Sequence, residues 1–150
     1  MILEFMKTRQ NVKTPTRSNP SDAGLDVYFC PVDNDPVKLA IGENKLFQTG
    51  LKFGVPHGYM LQVMNRSSIA AKRGLMVGAH VIDSGYDGEI FINLHNVGHS
   101  PQMIRYGDKI AQLVMVPVVA FRPNLIEGDL YREPITISDR GDGALGSTGG

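Results

Sequence analysis

In Glu89-Ile90-Phe91-Ile92-Asn93-Leu94-His95, the residues Ile90, Ile92 and Leu94 recur at every second position, just after a turn marked by Asp87 and Gly88. Period two places all three on one face of a β-strand, where the helical period would scatter them. The same reading extends along the chain. Seventeen Gly and nine Pro are spread over the 150 residues and cut the apolar runs into short pieces. That rhythm belongs to an all-β sandwich or barrel. Strands are expected over 2–7, 24–29, 45–53, 59–64, 89–96 and 110–119. The run Leu113-Val114-Met115-Val116-Pro117-Val118-Val119 is apolar on both faces, which implies deep burial or a subunit interface. Pro117 fits a strand there only at a bulge or an edge, because proline has no N–H for the ladder. One helix is expected, beginning at an N-cap Ser67, running to Arg73 and stopping at Gly74. At barely two turns it depends on packing.

At 16.4 kDa the chain is one domain by length and should bury roughly 68–70% of its unfolded surface. Fifteen basic and fifteen acidic residues cancel, so no global field points to nucleic acid or to an anionic membrane. Any anion site must be local. Cys30 is the only cysteine, which excludes an intrachain disulfide and a Cys-rich zinc site and suits a reducing compartment. The first seven residues are too short and too charged for a signal peptide. A cytoplasmic location is expected (host cytoplasm, were the chain viral).

Four segments could carry chemistry. Asn65-Arg66-Ser67-Ser68 meets the helix N-terminus, where unpaired N–H groups, a hydroxyl and a guanidinium form an anion site; helix capping alone, with Arg66 on the surface, is the other reading. In Val81-Ile82-Asp83-Ser84-Gly85-Tyr86, Asp83 at a strand end is either a general base for a water or an Asx-turn residue. Tyr86 is either a stacking platform or a hairpin aromatic. Gln112 is polar inside an apolar run and needs backbone or ligand partners. The Gly-rich end, Arg140 through Gly150, imitates a phosphate loop but leaves no room for the helix such loops need. It could fold over an anion held elsewhere or be a free terminus. His95 and His99, four apart across a turn, do not form a helical zinc pair.

In order and spacing these segments resemble the five motifs of trimeric dUTP pyrophosphatases, the dUTPase family. The first is similar to Ala23-Gly24-Leu25-Asp26-Val27 and the second to Arg66-Ser67-Ser68 through Leu75. The third resembles Val81 through Glu89, the fourth Gly107 through Leu113, and the fifth Arg140 through Gly149. The resemblance implies a jelly-roll-like β-barrel domain over 1–139, a C-terminal arm over 140–150, and a homotrimer with shared active sites. It also implies hydrolysis of dUTP to dUMP and pyrophosphate. Asp83 would activate the water that attacks the α-phosphorus, and Tyr86 would pack on the deoxyribose. Arg66, Ser67, Ser68 and Gln112 would hold the phosphates. Backbone groups of Ala79, His80 and Val81 would read the base. Arg140, Gly146, Ser147 and Thr148 would close on the γ-phosphate, with Leu145 over the base. Mg²⁺ would be held by the triphosphate, with Asp26 reaching it through water and no direct protein ligand.

Four positions depart from the family pattern. His80 and Asn65 stand where Gly and Pro are usual, Gly85 where an acid is frequent, and Leu145 where an aromatic is expected. The chain also resembles dCTP deaminases around Arg66-Ser67-Ser68 and Ala79-His80. Their proton-shuttling Glu falls on Asn93 and their helix Arg on Ala71, and an amide does not shuttle protons at neutral pH. A pyrophosphatase for another or modified pyrimidine nucleotide stays open. So does a non-enzymatic, nucleotide-binding regulatory trimer.

Overall fold

Among residues 1–131, which the computed structural model describes, the chain forms eleven short strands and one short helix. The central sheet orders β2 (Leu25–Tyr28), β11 (Lys109–Pro117), β6 (Tyr59–Met64) and β8 (Val81–Asp83). A second sheet orders β4 (Asn44–Gln48), β9 (Phe91–Asn96) and β7 (Leu75–Val77). Two ribbons complete the set, β1 (Glu4–Lys7) with β5 (Leu51–Gly54) and β3 (Val37–Leu39) with β10 (Gln102–Ile104). Every pairing is antiparallel. Val27, Leu61, Ala111 and Leu113 of the central sheet join Phe47, Ile92, Leu94 and Leu75 of the second in one apolar core. Phe29 and Phe47 meet in it edge to face, with ring centroids 5.2 Å apart. The result is the jelly-roll-like all-β architecture that the sequence implied.

β9 keeps its period two. Ile92 and Leu94 are fully buried, while Phe91 and His95 face outward. The expected strand over 45–53 is two strands, because Gly50 turns the backbone to φ 72° between them. A Cβ at Gly50 would lie 2.2 Å from Val12 Cγ2, so only glycine fits. Pro117 ends β11 opposite Tyr59, past the last residue that pairs with β2, so its missing N–H breaks no ladder there. From Val114 onward the apolar run is half-buried or exposed within one chain, so the expected deep burial holds only for Ile110, Ala111 and Leu113. The strands β3, β7, β8 and β10, three residues each, are too short to show a period.

Asn96 is 1% exposed and fully engaged. Its Nδ2 donates to Leu39 O at 3.0 Å and Ser100 O at 2.9 Å, and its Oδ1 accepts from Gly98 N–H at 3.0 Å. Asn96→Ala would strand the buried Leu39 carbonyl and remove two part-buried bonds, and should cost on the order of 1–3 kcal/mol, read as a lowered thermal midpoint.

The helix α1 runs over Ser67–Arg73, as expected, but its N-cap is Arg66 and not Ser67. The extended backbone of β6 carries on to Arg66 (φ −91°, ψ 126°), whose carbonyl takes the first helical bond from Ala70 N–H at 2.9 Å. Ser67 is thereby the first helical residue, and no side chain caps the first turn. Gly74 stops the helix in the left-handed region at φ 65°. Residues 1–120 form one compact unit, and the described residues after it, 121–131, carry no helix or strand. Arg140, Leu145, Gly146, Ser147 and Thr148, and the expected boundary at 139/140, lie outside the described residues. Among those described, no helix is long and apolar enough to cross a membrane.

Candidate active site

Two hollows collect the candidate residues. The first, of about 360 Å³, is lined by Asp26 of β2, by Arg66, Ser67 and Ser68 at the start of α1, and by Gln112 of β11. Three segments far apart in sequence meet there because β11 pairs with β2 on one side and β6 on the other. Gln112 lies opposite Asp26 and also opposite Met64, the residue before the bend into α1. Asp26 is buried, yet its carboxylate is paired. Oδ1 lies 2.9 Å from Arg66 Nε and Oδ2 3.5 Å from Lys109 Nζ, and Ser18 Oγ donates to Oδ2 at 3.3 Å. The ion pair spends Nε of Arg66 and leaves the two terminal nitrogens without a partner among the described residues. Gln112 Nε2 donates to Asn65 O at 2.9 Å, so the polar residue in the apolar strand has a backbone partner. Gly24 lies close beside it: a Cβ there would fall 2.5 Å from Gln112 Oε1 and push that amide from its place. Guanidinium, two hydroxyls, an amide and the uncapped helix turn make this a cleft for a polyanion. Ser18, Asn19 and Asp22 also line it and were missed, because nothing in a polar loop marks which residues face a cleft.

The second hollow, of about 190 Å³, is lined by Asp83 and Val81 of β8, by Tyr86, and by Glu89 and Phe91. β8 is an edge strand, paired on one side only with β6. Val63 N–H donates to His80 O at 2.8 Å, so in the antiparallel alternation residues 80 and 82 point their peptide groups at β6. Those of Val81 and the N–H of Asp83 face the open edge, free to read a planar donor–acceptor partner, while the Asp83 carbonyl is taken by the turn. Tyr86 closes the turn, its hydroxyl donating to Glu89 O at 3.0 Å and its backbone N–H to Asp83 O at 3.2 Å. Gly88 admits the ring, because a Cβ there would lie 2.5 Å from the Tyr86 hydroxyl. Asp87 pairs with Lys52 at 2.8 Å, which by hydrogen bond and then by charge holds its carboxyl below the ordinary value. Glu89, paired with Arg9 at 2.7 Å, ties the same turn to the N-terminal segment. Phe91 and Glu89 were missed as lining residues; Phe91 was findable, as it alternates with the buried Ile90 and Ile92.

Ala79 and His80 form the exposed turn before β8 and are not in that lining. His80 Nδ1 lies 3.4 Å from Val63 O, which ties the ring back toward β6. Asn93 is engaged structurally. Its Nδ2 donates to Asn44 Oδ1 at 3.1 Å and Lys45 O at 3.3 Å, and its Oδ1 lies 2.9 Å from His95 Nε2. This amide locks strands β4 and β9 together.

The two hollows share no lining residue. Across β6, Asp83 sits opposite Met60 and Gln112 opposite Met64. Four strand steps and two strand spacings put them about 16 Å apart. Within one chain the two hollows are therefore separate.

A family model for dUTPase matches residues 10–149. The chain belongs to the dUTPase family. It is 39% identical to the deoxyuridine 5'-triphosphate nucleotidohydrolase of Ehrlichia canis over 99% of this chain and 95% of that one. It is 40% identical to the Anaeromyxobacter enzyme of the same name over 92% of this chain and 88% of that one. Among solved structures it is similar to a Staphylococcus bacteriophage 80alpha dUTPase variant with dUpNHpp. That match has 25% identity and a TM-score of 0.84, covering 99% of each chain. The dUTPase of phage phi11 of S. aureus shares the fold at a TM-score of 0.78 and 24% identity, over 87% of this chain and 99% of that one. Another phi11 structure was described for its coordination of a structural Mg(II) ion.

Proposed function

We propose that this chain hydrolyses dUTP to dUMP and pyrophosphate, in shared active sites of a homotrimer. The observation that carries the reading is the division of one chain into a polyanion cleft and a separate acid-and-aromatic pocket. Asp83 and Gln112, about 16 Å apart on either side of β6, come together on one nucleotide when one chain's pocket meets another chain's cleft. The half-exposed apolar face of β11 and the residues after it supply an interface for such an assembly.

In this reading Tyr86 packs against the deoxyribose and the open edge of β8, with the turn 79–81, reads the base. Arg66, Ser67, Ser68 and Gln112 of the facing cleft hold the phosphates. Asp83 accepts a proton from water as its oxygen bonds to the α-phosphorus; the bond to the α,β-bridging oxygen breaks, and its electron pair leaves with pyrophosphate. Arg140, Gly146, Ser147 and Thr148 complete the grip on the γ-phosphate, with Leu145 over the base. Asp26 fits a hydrated Mg²⁺ held by the substrate, because both its oxygens already carry cations and direct ligation would displace them. When bound, that ion neutralises charge on the phosphate oxygens.

The test is a panel of deoxynucleoside triphosphates with Mg²⁺, assayed for pyrophosphate and for ammonia. Pyrophosphate from dUTP, without ammonia from dCTP, is the expected result. Cleavage of another pyrimidine nucleotide with dUTP intact would overturn the base assignment. Tight dUTP binding without turnover would move the chain to the regulatory class.

A further inference from the structure

Asn65 joins the two half-sites through a single residue. Its backbone carbonyl accepts Gln112 Nε2 at 2.9 Å, on the side of the phosphate cleft. Its side-chain Oδ1 accepts Val77 N–H at 2.8 Å, on the side of the turn that leads into β8. A proline at this position would offer no side-chain acceptor for that amide. The turn beyond Val77 is fixed at further points. Gly78 N–H donates to Asn93 O at 2.9 Å, and a Cβ at Gly78 would fall 2.2 Å from Asn93 Oδ1 and 2.3 Å from His95 Nε2. His80 returns to β6 through Val63, with N–H to carbonyl at 2.8 Å and Nδ1 to carbonyl at 3.4 Å. Segment 63–66, which leads into Arg66 and Ser67, is thus laced to segment 77–80, which leads into β8. Asn65 stands where the lacing reaches Gln112.

We propose that Asn65 is a positioning residue that couples the phosphate cleft of each chain to the base-reading turn of the same chain. The inference rests on the shared-site reading above, under which those two ends serve different active sites. Filling one site's phosphate cleft is then felt at the base pocket of its neighbour. The physical basis is the cost of an unpaired amide: a shift of Asn65 with the cleft must carry Val77 or break its bond.

The experiment is amide hydrogen exchange on the intact oligomer, with Mg²⁺ and inorganic tripolyphosphate as a probe that fills the cleft without a base. Saturating tripolyphosphate should slow exchange at residues 77–80 at least threefold in the unaltered protein. Asn65→Ala should bind the probe, lose that protection and raise the KM for dUTP more than it lowers kcat. Asn65→Asp, which keeps the Oδ1 acceptor, should restore the protection at saturation. Probe binding with no protection at 77–80 would overturn the coupling. So would protection that survives undiminished in Asn65→Ala. A protein that neither binds tripolyphosphate nor cleaves dUTP would overturn the active-site reading itself, and the coupling with it.

Discussion

Asp83→Asn is expected to lower kcat for dUTP by about 10²–10⁴-fold while leaving dUpNHpp bound with nearly unchanged affinity. The substitution is isosteric, and the wild-type side chain is exposed at the open end of β8, where no hydrogen bond or ion pair among the described residues depends on it. The turn it starts is held by backbone and by other side chains: Tyr86 N–H to Asp83 O, the Tyr86 hydroxyl to Glu89 O, and Lys52 to Asp87. The loss should therefore be confined to proton acceptance from water. Single-turnover rates and isothermal titration separate the two quantities. A variant that also loses dUpNHpp would show Asp83 to be a binding residue. Undiminished turnover would remove it from the chemistry.

Arg66→Ala is expected to cost about 10²–10³-fold in kcat/KM, the range for deleting one preorganised donor. Two effects add. The free terminal nitrogens, aimed at the cleft by the Nε–Asp26 contact, disappear from the phosphate side. Asp26, whose side chain is only 10% exposed, then faces an incoming triphosphate with Lys109 as its remaining cation. The double variant Asp26→Asn/Arg66→Ala should recover part of the binding loss, because the unpaired negative charge is gone. That recovery distinguishes Arg66 as the middle of an Asp26–Arg66–phosphate relay from Arg66 as an independent donor, for which the two substitutions would simply add.

The legible parts of the molecule were those with long or local signals. Period two in β9, the polar break at Gln112, the stop at Gly74 and the acid-turn-aromatic order of Asp83 and Tyr86 can all be read without neighbours in space. The helix range was legible but its N-cap was misplaced by one residue, because Ser67 satisfies local cap statistics, whereas the extended run of β6 decides where the backbone turns. The strand over 45–53 was read as one because Thr49-Gly50 looks like any polar pair. Only Val12, packed against Gly50, and Ile90, whose carbonyl takes the Thr49 hydroxyl at 2.7 Å, make the break obligatory.

Sequence by itself determined the all-β class, the five ordered motifs and the residue types for phosphate attack, because period and spacing are properties of the chain. It could not decide that Asp26 and Arg66 are partners, that Ser18, Asn19 and Asp22 border the cleft, or that Asn65 bridges Gln112 and Val77. Nor could it decide that Asp83 and Gln112 stand apart on opposite sides of β6. Those relations are set by which strands pair and in what register, and pairing brings together residues tens of positions apart at hydrogen-bond distance.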